Sequence, residues 1–189
     1  HDLNSSNTNI LLSENRTITA NFQKKKYLLQ INEVDGGSVS GEGHYEYGTE
    51  ANITALPNEG YTFSQWSGSG ISNPGSANST VLVAGNLNIS ALFAIKQHTL
   101  SLPVVEGGIL TGAGTYDFGS VIEISAIPQP GYSFNGWTGG NFLDPSSPST
   151  TVTLNEDINA SADFNRIIYS LTVNSSNGGN VSAGGRYYY

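Results

Sequence analysis

Cysteine and methionine are absent from the 189 residues, and lysine and arginine together number only 7. Without cysteine no disulfide can staple the fold and no thiolate can hold a zinc ion. Without methionine, His1 is not a translation start, and no leader-like segment stands at the N-terminus, as expected of an internal stretch of a longer polypeptide. The 15 acidic residues give a net charge of -8, so the basic footprint that nucleic-acid binding requires is missing. No apolar run approaches the roughly 18 residues of a membrane span. His1, His44 and His98 occupy unrelated positions without a paired serine or cysteine nucleophile, so a catalytic triad is unsupported. The acidic residues are dispersed: Glu42, Glu46 and Glu50 alternate near one turn, and Asp144 stands apart, without the dense Asp-x-Asp spacing of a calcium loop. Together these absences predict a chain that is not an enzyme and holds no metal and no cofactor.

What is present is a period. Gly36-Gly37 recurs as Gly107-Gly108 and Gly178-Gly179, Tyr45 as Tyr116 and Tyr187, Phe22 as Phe93 and Phe164, and Trp66 as Trp137, always 71 residues on. Residues 27–97 and 98–168 align without a gap at 24 identical positions of 71. Self-similarity at a fixed period marks a tandem array. Residues 1–26 then read as the C-terminal part of a repeat plus a junction, 27–97 and 98–168 as full repeats, and 169–189 as the N-terminal part of a further one. The two end pieces each carry half a core and are expected to be disordered. Together they lack a central strand and a tryptophan segment, so they are not expected to complete one another in a polymer, and the chain reads as a window of a longer array.

Within one repeat the apolar spacing is that of strands. The segment Tyr27–Val34 keeps Leu29 and Ile31 on one face, as Leu100 and Leu102 do in the next copy. The Gly-Gly pairs (Gly36, Gly37; Gly107, Gly108; Gly178, Gly179) permit a turn that needs positive φ. A short strand around Val39 leads to Tyr45 and Tyr47, or Tyr116 and Phe118, two residues apart and therefore expected on a common face. A strand through Ala51, Ile53 and Ala55 stops at Pro57, and Gly60-Tyr61-x-Phe63-x-x-Trp66 follows. The three-residue step from Phe63 to Trp66 predicts a bulge that returns the indole inward. Residues 67–79 and 138–150, rich in Gly, Ser, Asn and Pro, read as exposed loops. Two closing strands carry Val81 and Val83, then Leu87 to Phe93. The fold class is mainly β, a tandem array of small modules.

The ordered set Gly-Gly, Tyr-x-Tyr-Gly, Gly-Tyr-x-Phe-x-x-Trp and a closing Ala-x-Phe resembles the divergent internalin-type B-repeat, a module common in tandem on bacterial surface and secreted proteins. The resemblance covers both full copies and both partial ones. It implies a β-grasp-like module, an extracellular or cell-surface bacterial location, and a role as stalk, spacer or adhesion element, with no catalytic residues to carry over. The second copy departs from it in beginning with His98, where the others have Tyr27 and Tyr169.

A cysteine-free module this small needs large buried side chains, so Tyr61, Phe63, Trp66 and Phe93, with Tyr132, Phe134, Trp137 and Phe164, are expected to form the cores. Tyr45, Tyr47, Tyr116 and Phe118 are the candidate binding surface, because tyrosines on an edge strand suit interfaces; packing on the neighbouring strand is the competing role. Sequons such as Asn52-Ile-Thr54 occur in so Asn- and Thr-rich a chain by composition alone. Five of the 7 basic residues, Lys24, Lys25, Lys26, Lys96 and Arg166, lie in the four-residue junctions that follow each Phe. This placement suggests contacts with carboxylates of the flanking repeats that bias the angle between them. Expected partners are the neighbouring repeats, with surface glycans or other copies of the array as alternatives. The function expected is a non-enzymatic stalk, spacer or adhesion array. A carbohydrate- or host-protein-binding module and a subunit of an extracellular filament are the rivals.

Overall fold

The computed structural model describes residues 9, 11–32, 35–182 and 184–189. The first repeat contributes β1 (Lys26–Asn32), β2 (Gly37–Ser40), β3 (Gly43–Glu46), β4 (Thr49–Pro57), β5 (Tyr61–Ser67), β6 (Asn78–Val83) and β7 (Leu87–Ile95). No helix occurs among the described residues. The alternation that predicted these strands reappears as burial: along β4, Ala51, Ile53 and Ala55 are buried and their neighbours Asn52, Thr54 and Leu56 exposed. Glu33 and Val34, at the end of the expected first strand, lie outside the described residues.

The strands make two sheets. One has the order β3-β1-β7-β5, the other β2-β4-β6. In the first sheet β1 and β7, the opening and closing strands of the repeat, are parallel neighbours, with Leu29 opposite Leu87 and Ile31 opposite Ile89. The β-grasp-like expectation has this mixed sheet as its counterpart, but among the described residues no helix packs on it and the second sheet covers its face instead. Leu29, Ile31, Trp66, Ile89 and Ala91 from one sheet meet Ala51, Ile53, Ala55, Val81 and Val83 from the other in a single core. Interdigitation of two inner faces is how a sandwich buries its apolar area.

The second repeat copies this plan with β8 (Gln97–Ser101), β9 (Gly108–Thr111), β10 (Gly114–Asp117), β11 (Ser120–Pro128), β12 (Tyr132–Thr138), β13 (Ser149–Leu154), β14 (Ile158–Asn159) and β15 (Ser161–Arg166). Its closing strand is interrupted at Ala160, whose N–H donates to the Ser101 carbonyl at 3.0 Å. The third frame begins with β16 (Ile168–Leu171), paired antiparallel with β17 (Gly185–Tyr188). The expectation of disorder at both ends therefore misses the C-terminal piece, which is a paired ribbon. At the N-terminal end it falls partly on residues outside those described; residues 11–25 carry no strand.

The bulge expected after Phe63 is present as a register shift between Phe63 and Gln65, and again between Phe134 and Gly136. The loops are not simply exposed. Ile71 bridges to Val81 and Phe142 to Val152. Phe142 is 9% exposed and packs on Trp137, with ring centroids 5.8 Å apart. The loop folds back because the indole needs a partner: Trp66 Nε1–H donates to the Ser76 carbonyl and Trp137 Nε1–H to the Ser147 carbonyl, both at 3.1 Å. A buried indole N–H without an acceptor would cost the desolvation of that group.

Candidate functional site

Six of the eight expected core side chains sit inside or against the two cores; Tyr61 and Tyr132 do not, because they are drawn to the Gly-Gly turns. Trp66 and Trp137 are 2% and 5% exposed, with Phe63, Phe93, Phe134 and Phe164 packed partly buried against them. Phe63 and Phe93 meet edge-on at 6.1 Å, as do Phe134 and Phe164. Tyr61 and Tyr132 are half-buried over the Gly-Gly turns. A Cβ added to Gly36 would fall 2.5 Å from the Tyr61 ring, and one on Gly37 2.3 Å from the Phe93 ring. The turns at Gly107 and Gly108 repeat this against Tyr132 and Phe164, whereas Gly178 and Gly179 have nothing within 4 Å. The Gly-Gly pair therefore serves close approach as much as the turn.

The four residues proposed as a binding surface part company. Tyr45 and Tyr116 are half-buried against the cores, and each hydroxyl donates to a backbone carbonyl, of Gly41 and Gly112, at 2.9 Å. Tyr47 and Phe118 lie one residue past the ends of β3 and β10, where their N–H groups bond to the carbonyls of Lys25 and Lys96. They stand at the junctions.

Each junction is built mainly by backbone. β7 ends at Ile95, opposite Tyr61, and β8 begins at Gln97, opposite Asp117, so the four-residue spacer contracts to one residue, Lys96. The Lys96 N–H donates back to the Gly60 carbonyl at 2.7 Å, and its carbonyl accepts forward from the Phe118 N–H at 2.8 Å. One continuous strand thus changes partners, leaving the sheet of one repeat and entering the sheet of the next. At the second junction Ile167 donates to Gly131 at 2.7 Å and accepts from Tyr189 at 3.2 Å. The same frame position holds Lys25, which accepts from the Tyr47 N–H at 2.9 Å.

An aromatic ring closes each splice. Gly60 has φ +78°, and a Cβ there would lie 2.2 Å from Phe118 Cδ1; Gly131, at φ +85°, stands in the same relation to Tyr189 at 2.6 Å. The ring of the following repeat lies on the bare α-carbon of the preceding one. Glycine is required twice over, since L-residues avoid the left-handed region and no side chain would fit. A second aromatic backs the first: His98 beside Phe118 at 6.2 Å, Tyr169 beside Tyr189 at 6.3 Å, and Tyr27 beside Tyr47 at 6.1 Å.

Charge plays a smaller part than the clustering of cations suggested. Lys24 reaches Glu46 of the following repeat at 3.4 Å, both side chains well exposed, and such a pair contributes at most about 1 kcal/mol. Arg166 pairs within its own repeat, with Glu106 at 2.8 Å. Among the described residues Lys25, Lys26 and Lys96 form no ion pair. The Arg166 group ties together parts of the second repeat instead. Its guanidinium lies over the Tyr132 ring at 5.6 Å, and Arg166 and Tyr132 both donate to Glu106 Oε1 at 2.8 Å. Hydrogen bonds from Arg166 and then Tyr132, with the guanidinium charge, hold the Glu106 carboxyl below its ordinary pKa and raise that of Arg166. Asp144 is also lowered, by the Ser146 hydroxyl and N–H. Among the described residues no three metal-ligating side chains converge.

Sequence reasoning placed Lys96 in a junction for its charge and not its backbone, and missed Gly60, Gly131 and Ile167 as junction residues. A signal was there. The linker position reads Lys25, Lys96, Ile167, with no common side-chain chemistry, which points to a backbone role. The position that meets the glycine reads Tyr47, Phe118, Tyr189, always aromatic.

A sequence profile described as the divergent InlB B-repeat domain matches residues 27–97 and again residues 98–168. A protein of Evansella cellulosilytica, described by name alone as a Gly-rich membrane protein, is 28% identical over 168 residues, which is 88% of this chain and 19% of that protein. The chain thus spans about a fifth of the length of this relative. No solved structure matches the chain.

Proposed function

The chain belongs to the divergent InlB B-repeat family, and from that premise we propose that it is a non-enzymatic stalk or spacer in which orientation passes from repeat to repeat through the spliced strand. The observation that carries this reading is the partner exchange at Lys96 and Ile167, each bonded backward to a glycine carbonyl and forward to an aromatic N–H. A flexible linker needs no such bonds. A single residue bonded on both sides has few conformations left, so each repeat adds length along a common direction. Display on a bacterial surface is supported by the occurrence of the family on surface and secreted proteins and by the name of the Evansella relative.

Small-angle scattering on chains with two, three and four tandem copies of residues 27–97 tests the reading. A maximum dimension that grows by a constant increment per copy supports it. Growth with about the square root of copy number, the behaviour of a flexible chain, refutes it.

A second reading, saccharide binding, is favoured by one feature. A cleft of about 450 Å³ in the first repeat is lined by Asn52, Thr54, Ser72, Asn73, Asn78 and Thr80 among others, amides and hydroxyls suited to sugar hydroxyls. In the second repeat Leu143 and Asp144 replace Ser72 and Asn73. A glycan array probed with the whole chain separates this reading from a plain spacer.

A further inference from the structure

Tension along an array enters a repeat at the start of its opening strand and leaves at the end of its closing strand. In the first repeat these points are Lys26, the first residue of β1, and Ile95, the last of β7. The two strands are parallel neighbours, with residues 29–32 opposite residues 87–90. Lys26 therefore lies three residues before the level of Leu29 and Leu87, and Ile95 eight residues beyond it. At about 3.3 Å per residue, entry and exit stand about 36 Å apart along the strand direction. Tension on that line slides β1 against β7 and loads the hydrogen bonds between them together. An antiparallel pair would meet the load at one end and open one bond at a time.

We propose that the β1–β7 pair is a mechanical clamp, and that each repeat bears tension as well as spanning distance. The proposal rests on the array reading and adds a load-bearing function to it. Three features support the clamp. β1 and β7 are the central pair of their sheet, flanked by β3 and β5, so neither strand is free on its other side. Leu29, Ile31, Ile89 and Ala91 are buried, so water cannot reach the inner face of the ladder to replace a strained bond. The Asn86 carboxamide, just ahead of β7, accepts from the Leu28 N–H at 3.0 Å and adds a side-chain bond before the backbone ladder begins. Asp157 takes this part in the second repeat, accepting from the Thr99 N–H at 2.8 Å. There the ladder is shorter: Leu100 lies opposite Ile158 and Ser101 opposite Asn159, followed by the bond from Ala160 to Ser101. The second repeat should therefore yield first.

The test pulls single molecules of the 189-residue chain between two introduced cysteines, which are unambiguous handles because the chain has none of its own. Lys26→Cys with Lys96→Cys loads the first ladder in shear. Lys26→Cys with Gly85→Cys loads the same two strands from one end, since Gly85 stands just ahead of β7, where an added Cβ meets nothing within 4 Å. A single-step release of all the chain between the handles checks that the repeat is folded in each variant. At equal loading rate the shear pair should rupture at about three times the force of the peeling pair, because forced unfolding reads the barrier along the direction pulled. Lys96→Cys with Ile167→Cys loads the second repeat, which should rupture at a lower force than the first. Equal forces for the shear and peeling pairs refute the clamp and leave the array reading, which scattering tests separately, as it was. A second repeat that holds as much force as the first also overturns the clamp, because the ladder is then not what carries the load.

Discussion

Replacing Gly60 with alanine should separate the stability of a repeat from the stability of its junction. Two costs add. Alanine at φ +78° sits in the left-handed region, which costs an L-residue roughly 1–2 kcal/mol. The new methyl would lie 2.2 Å from Phe118 Cδ1, where ordinary contact begins near 3.4 Å, so the ring must swing off the turn. Phe118 is half-buried, and losing that contact costs about 1 kcal/mol, a fraction of the 1.5–3 kcal/mol for full burial of such a side chain. The total is about 2–3 kcal/mol, and only the second part requires Phe118. In a Phe118→Ala background Gly60→Ala should therefore cost only the conformational part, leaving a less-than-additive coupling of about 1 kcal/mol. The chain has two tryptophans, one per full repeat, so ¹⁹F resonances of 5-fluorotryptophan follow each repeat separately through thermal unfolding. At this module size 1 kcal/mol corresponds to a shift of roughly 4–8 °C. Costs that add to within about 0.5 kcal/mol would refute the ring-on-glycine contact.

Lys96→Pro should loosen the junction in scattering and in ¹⁵N relaxation, because proline has no N–H to donate to Gly60. Lys96→Ile should leave it unchanged, as Ile167 fills the same position. Trp66→Ala and Phe142→Ala should each destabilise their own repeat by about 3–5 kcal/mol, measured by urea unfolding. Because the carboxyl of Glu106 is depressed in the folded state, its contribution is present above the unfolded value and lost as pH falls through the folded one. The second repeat of wild type should accordingly lose more stability on acidification than that of Glu106→Gln, read from Trp137 unfolding midpoints across the carboxylate range.

Strands, bulge and core were legible because each is a local pattern. Alternation at Ala51, Ile53 and Ala55 fixes a face, and the step from Phe63 to Trp66 leaves the indole inward only with an extra residue. The loop was misread for want of a tertiary fact. Ile71 and Phe142 lie in segments rich in Gly, Ser, Asn and Pro, and only tertiary packing, for Phe142 on the Trp137 ring, brings them against the cores. The junction was hidden for a different reason. Lys96 acts through its amide and carbonyl, so its ammonium drew attention to charge while the backbone made the connection. Tyr45 and Tyr47 keep the spacing of one strand face, yet only Tyr45 packs on the core, because Tyr47 pairs with Lys25 of the linker, one step ahead of β1.

A module of 71 residues without disulfide or metal is near the lower size for an independent core, and the splice changes what that means. Each junction adds two backbone hydrogen bonds, one from the linker residue to each repeat, and a ring covering a bare α-carbon, and of these only the ring contact requires both repeats to be folded. In repeat arrays such nearest-neighbour terms add to the intrinsic stability of each unit. The ring contact, about 1 kcal/mol, is the part that couples neighbours directly, a fraction of the roughly 3–5 kcal/mol that a core this small supplies. Internal repeats would then be stabilised from both sides and terminal ones from one side. The same contacts that set direction along the array thus also make its folding cooperative, and a substitution at a glycine turn weakens two repeats at once.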